Sequence, residues 1–170
     1  MGTLIPGSSG PQLMLNRPRG LGGWLVLTQI GLYFTFLSMA LLTWSSIIPS
    51  FQPDVWDVLT SPGSSVYDPL WAPLLIFEAV SNTVFMLLSV YLLVQMYRKK
   101  ASFPRWMILF YAGNLLVLIT DYVLLLNIPL AVEFAEEDGS LRDIIRTAGT
   151  CAIWIPYFIK SRRVKNTFVN

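Results

Sequence analysis

The chain has no histidine and one cysteine, Cys151, among its 170 residues. A lone thiol excludes a disulfide within the chain. Haem and zinc sites draw mainly on imidazoles or on several thiolates, so no metal and no cofactor is expected. Cys151 reads as an apolar helix residue. No H-E-x-x-H, G-x-S-x-G or Cys/His arrangement occurs, so the sequence offers no catalytic motif, and a membrane enzyme stays the least favoured of the function classes. Charge is also scarce. Asp, Glu, Lys and Arg make up 13% of the chain, against about 25% in soluble domains. Two segments lack Lys and Arg entirely: one carries Asp54, Asp57 and Asp68, the other Glu133, Glu136, Glu137 and Asp138.

What the chain has instead is hydrophobic mass, 54% of its residues. So much apolar surface does not fit inside one small soluble core, and lipid is the expected solvent. Ten of the twelve basic residues fall in three patches, which are Arg17/Arg19, Arg98/Lys99/Lys100/Arg105 and Lys160/Arg162/Arg163/Lys165. They alternate with the acidic segments across the apolar stretches. Cytosolic loops concentrate Lys and Arg in this way, so both termini are expected in the cytosol. The basic residues then act as anchors against anionic headgroups. No nucleic-acid partner is expected. The lipid bilayer is the expected partner, with a membrane-protein partner or a homo-oligomer beside it.

The fold class expected is all-α: an integral membrane protein with four transmembrane helices in an antiparallel bundle. Residues 1–19, rich in Gly, Pro and Ser, read as a disordered cytosolic tail. Residues 20–160 form the transmembrane domain, with helices over about 22–46, 69–97, 104–126 and 140–159. Residues 161–170 form a basic cytosolic tail. The first apolar stretch, about 21–48, is too long for a cleavable signal core. Within it Thr28, Gly31, Thr35 and Ser38 form a small-residue stripe suited to close helix packing.

The fourth helix is the unusual one. Its uncharged run, Thr147 to Ile159, has only 13 residues. At 1.5 Å per residue that is about 20 Å, short of a bilayer core of about 30 Å. To span, it must begin near Ser140 and draw Arg142 and Arg146 into the membrane. Glu78 and Asp121 also fall inside apolar helices. Counting the rise from the helix ends places Glu78, Asp121 and Arg146 about 9–13 Å deep, and Asn82 and Asn114 roughly 20 Å deep. Glu78 and Asn82 share a face at i, i+4; Asn114 and Asp121 share one at i, i+7; Arg142 and Arg146 share one at i, i+4. An unpaired charge in the membrane is costly, so Arg146 is expected to bridge Asp121, Glu78 or both. The cluster Glu78, Asn82, Asn114, Asp121, Arg142 and Arg146 then either pins three helices together or forms a polar site for a proton, a lipid headgroup or a small ligand.

Several short blocks resemble a known family. They are Gly20-Leu21-Gly22-Gly23-Trp24-Leu25, Leu70-Trp71-Ala72-Pro73-Leu74-Leu75-Ile76-Phe77-Glu78 leading to Asn82, Phe103-Pro104, and Asp121. The most specific is Ile153-Trp154-Ile155-Pro156-Tyr157-Phe158, which leads through Ser161 to Arg163-Val164-Lys165 and Thr167-Phe168-Val169. From Gly20 to Val169 the chain resembles the bacterial four-helix membrane family known as domain of unknown function 2569. The resemblance implies a Gram-negative inner-membrane protein with four spans, and it implies no activity. The expected function is that of an accessory, assembly or regulatory partner of another membrane component. The alternative is a subunit of an oligomeric transporter or conductance pathway that uses Glu78 and Asp121.

Overall fold

Long uncharged runs set the helices, and the punctuation between them sets where each helix stops. The computed structural model describes residues 20–132 and 139–169. The expected tail over 1–19 and the acids Glu133, Glu136, Glu137 and Asp138 lie outside the described residues. Among the described residues every regular element is helical. Helix α1 runs Trp24–Ser50 and contains a π-helical turn at Thr43–Ile47. Pro49, which has no N–H to donate, follows that turn directly. Helix α2, Pro53–Thr60, opens on its proline and carries Trp56 stacked on Phe51 at 5.2 Å. Helix α3 is Trp71–Tyr97, α4 is Phe103–Leu125, α5 is Ser140–Lys160 and α6 is Arg162–Thr167. Gly139, with φ of +73°, precedes α5. Ser161 ends α5 and caps α6 by accepting from Val164 N at 3.4 Å.

The long helices pack in chain order: α1 on α3, α3 on α4, α4 on α5. The contacts show that each pair is antiparallel. Gln29 and Tyr33 meet Tyr97, while Met39 meets Asn82. Phe85 meets Gly113, while Tyr91 meets Trp106. Phe103 meets Phe158, while Tyr111 meets Cys151. The small-residue stripe of α1 does not act as one seam. Thr28 is buried, whereas Gly31 and Ser38 are exposed.

Three helices, Trp24–Ser50, Trp71–Tyr97 and Phe103–Leu125, are long and apolar enough to cross a membrane. Their exposed surfaces carry rows of large apolar side chains seven apart: Leu27, Phe34 and Leu41; Val80, Leu87 and Val94; Leu109, Leu116 and Val123. In water such continuous patches are a liability; against lipid tails they cost nothing. The protein is therefore a membrane protein. Helix α5 starts at Ser140 and, at 21 residues, is about 31 Å long. It carries Arg142, Asp143 and Arg146 and is too polar to be counted with the other three.

The larger core lies where α1 begins and α3 ends. Leu25, Leu92, Met96, Phe103 and Met107 are fully enclosed there, joined by Phe158, Val164 and Phe168. Residues 161–169, expected as a tail, belong to this core. Val164, Thr167 and Phe168 are buried, and Phe168 stacks on Phe103 at 4.4 Å. Gly20 N donates to Thr167 Oγ1 at 3.0 Å, and that hydroxyl donates back to Gly20 O at 3.4 Å. Gly23 has φ of +63°, and a Cβ there would lie 2.7 Å from the Arg163 guanidinium. The backbone conformation is the demand that glycine alone meets readily, since the end of the flexible Arg163 side chain can move aside. The basic anchors gather around this end: Arg98, Lys99, Lys100, Arg105, Lys160, Arg162 and Lys165 are exposed, and Arg163 is partly buried against Gly22 and Gly23. The opposite, acidic end has only a small core of Leu74, Ile128 and Ala131.

A candidate polar site between three helices

Between these two cores α1, α3 and α4 part around a cavity of about 290 Å³. Its polar lining comes from all three helices: Ser46 from α1, Glu78, Ser81 and Asn82 from α3, Asn114 and Asp121 from α4. Phe85, Leu42, Val117 and Leu118 make much of the remaining wall. Glu78 lies about 10 Å along α3 from Trp71, and Asp121 about 6 Å along α4 from Leu125. Asn82 and Asn114 are each about 16 Å in by the same count. The site therefore sits in the acidic half of the bundle, inside two of the helices apolar enough to cross a membrane.

The two carboxyl groups, one from α3 and one from α4, line the same cavity. Asp121 Oδ1 is buried and accepts no hydrogen bond. Two adjacent carboxylates repel strongly where the dielectric is low. Such a pair is stable when a proton lies between them or when a cation joins them.

Asn82 fixes the third wall. It is 8% exposed. Its Nδ2 donates to Met39 O at 3.2 Å and to Thr43 Oγ1 at 2.6 Å. Thr43 Oγ1 in turn donates to Met39 O at 2.8 Å. These bonds clamp α3 to the first residue of the π turn. A π turn inside an α-helix is a frequent mark of a functional site, and here it brings Ser46 and Ile47 to the cavity. Both N–H groups of Asn82 are used in the clamp, and its Oδ1 accepts no bond among the described residues.

The expected bridge from Arg146 is absent. Arg142 and Arg146 are exposed, and Asp121 Oδ1 takes no donor. The reason is rotational. Cys151 and Phe158 mark the buried face of α5, and Cys151 Sγ lies 3.3 Å from Tyr111 O on α4. At about 100° per residue, Arg146 lies about 140° and Arg142 about 180° around the helix from Cys151. Both arginines point away from α4. Glu78, Asn82, Asn114 and Asp121 are brought together; Arg142 and Arg146 are not.

Sequence reasoning passed over Thr43, Ser46, Ser81 and the π turn. The available signal was the polar run Thr43-Trp44-Ser45-Ser46 shortly before Pro49 in an otherwise apolar helix.

A family model described as a protein of unknown function, DUF2569, matches residues 18–169. The chain belongs to that family. The match takes in both cores and every polar residue of the cavity, so the site of this DUF2569 protein lies wholly within the family's domain. No curated protein and no solved structure matches the chain.

Proposed function

We propose that this DUF2569 protein is an accessory protein of a bacterial inner membrane that works by binding. It crosses four times, with both described ends of the bundle in the cytosol, and it holds a small ligand or a proton in the cavity between α1, α3 and α4. The observation that carries this reading is the cavity itself, whose lining holds Glu78 and Asp121 and no cationic side chain. A salt-bridged pin between helices would carry its own countercharge, and the lining has none. Support for the fourth crossing comes from α5, which runs back along α4, and from the contact of Gly20 with Thr167. Two ends on one side require an even number of crossings. The concentration of Lys and Arg at that end supports its cytosolic placement.

The alternative, a conducting subunit, is less well supported. Below the cavity Leu92, Met96, Phe103 and Met107 are fully enclosed, so the polar lining ends in a packed floor. A cavity closed at one end suits capture better than passage. The test is access. Ser81→Cys in nanodiscs is expected to react with a small methanethiosulfonate reagent, while the native Cys151, buried against α4, stays unmodified. An unreactive Ser81→Cys variant that folds normally would rule out a reachable site. Carrier-free ion flux through protein-containing liposomes, lost in Asp121→Asn, would transfer support to the conducting subunit.

A further inference from the structure

We infer that the cavity takes an organic cation with N–H donors: an ammonium or guanidinium group on a short apolar body. This rests on the binding reading above and names the ligand class for the same site. Charge and one orphaned acceptor decide the ligand class. Glu78 and Asp121 bring two carboxyl groups, with Asp121 Oδ1 buried and unpartnered. Asn82 is nine-tenths buried, and its two donated bonds go to Met39 and Thr43. What it offers the cavity is its unpartnered Oδ1. The clamp to the π turn holds the amide in that sense, because reversing it would set Oδ1 against the Met39 carbonyl. The two ionisable groups of the lining are both carboxyls, while its free donors, on Asn114, Ser46 and Ser81, are neutral. An anion or a phosphate headgroup meets two carboxyls and no cationic side chain in the lining. An N–H cation satisfies the orphaned oxygens and the charge together.

The rest of the site limits the body of the ligand. Phe85, Leu42, Val117 and Leu118 line an apolar wall. The volume of about 290 Å³ sits at the small end of ligand pockets, roughly 300–1,000 Å³. Because the arginines of α5 face outward, no side chain of the bundle occupies the cation's place. One monocation entering between two carboxyls leaves one negative charge, or none if a proton stays with the pair.

The test uses the full chain in nanodiscs, titrated with hexylammonium by calorimetry against empty nanodiscs. A saturable component of one hexylammonium per protomer is expected. Hexan-1-ol is expected to bind at least tenfold more weakly, and hexanoate not at all. Asp121→Asn and Glu78→Gln, made singly, are each expected to weaken hexylammonium tenfold or more. If neither variant folds, protection of Ser81→Cys from modification by hexylammonium but not by hexan-1-ol serves as the readout. Equal binding of hexan-1-ol overturns the cation and leaves the binding site standing. Equal binding of hexyltrimethylammonium overturns the N–H requirement. Displacement of hexylammonium by millimolar sodium at constant ionic strength overturns the organic cation in favour of a bare ion. No saturable binding of any probe, with Ser81→Cys unreactive, overturns the site itself.

Discussion

At the basic end of the bundle Phe103 stacks on Phe168 and meets Phe158, while Trp24, Trp154 and Tyr157 close in beside them. At the acidic end the same helices part around carboxyl and amide groups. The difference shows how a small membrane protein can hold a polar hollow without falling apart. Lipid tails are as apolar as leucine, so helices associate in a bilayer mainly through packing and interhelical hydrogen bonds. Concentrating large rings and the chain ends at one pole supplies that packing. The other pole, joined by the Asn82 clamp, is then free to carry carboxyl groups that add no packing.

Changes at the two poles should therefore differ in size, and in what they alter. The largest loss is expected for Phe103→Ala, which removes a fully enclosed ring contacting two others. Soluble-core precedents give about 3–5 kcal/mol. Lipid removes part of the transfer term, so about 3 kcal/mol is expected, read from reversible unfolding in bicelles, with Ser81→Cys reactivity unchanged. A loss under 1 kcal/mol would mean that the aromatic pole is not the clamp.

Thr43→Val tests the seam between the poles. It deletes the acceptor of one Asn82 bond and the donor to Met39 O. Interhelical bonds in membranes average about 0.6 kcal/mol, so about 1 kcal/mol is expected. Hexylammonium binding should also weaken, because Asn82 is freed to turn. Unchanged affinity in a destabilised Thr43→Val would show that the clamp serves cohesion alone.

The smallest effect is expected at Arg146. Its side chain is exposed and turned from α4, so Arg146→Gln should shift stability by no more than about 0.5 kcal/mol. A loss of 2 kcal/mol or more would place the guanidinium on Asp121 after all.

How much of this was legible in the sequence differs from helix to helix. Charge spacing and unbroken apolar runs located the long helices, because lipid imposes length and composition directly. Depth counting brought Glu78, Asn82, Asn114 and Asp121 into one zone, and the cavity gathers all four. Rotation was the weak point. Arg142 and Arg146 share a face, but that face had to be compared with the packing face of α5 itself. Cys151 and Phe158, seven apart, carried that information unused. The π turn was harder to see, since one extra residue in a helical turn leaves no periodic trace and only Pro49 hinted at it. Val164 and Phe168 stood out as apolar positions suited to the membrane or a partner, but Arg162, Arg163 and Lys165 around them disguised their place in the protein's own core.

The bonds between Gly20 and Thr167 span 147 positions of the chain, and Arg163 sits beneath the glycines that open α1. Gly20 is made long before Thr167 and Arg163 exist. During biogenesis the entry to the first helix stays unlatched until the segment holding Arg163 and Thr167 is made and closes the ring. A stop codon placed at Ser161 would leave every apolar helix inserted yet never let that closure happen.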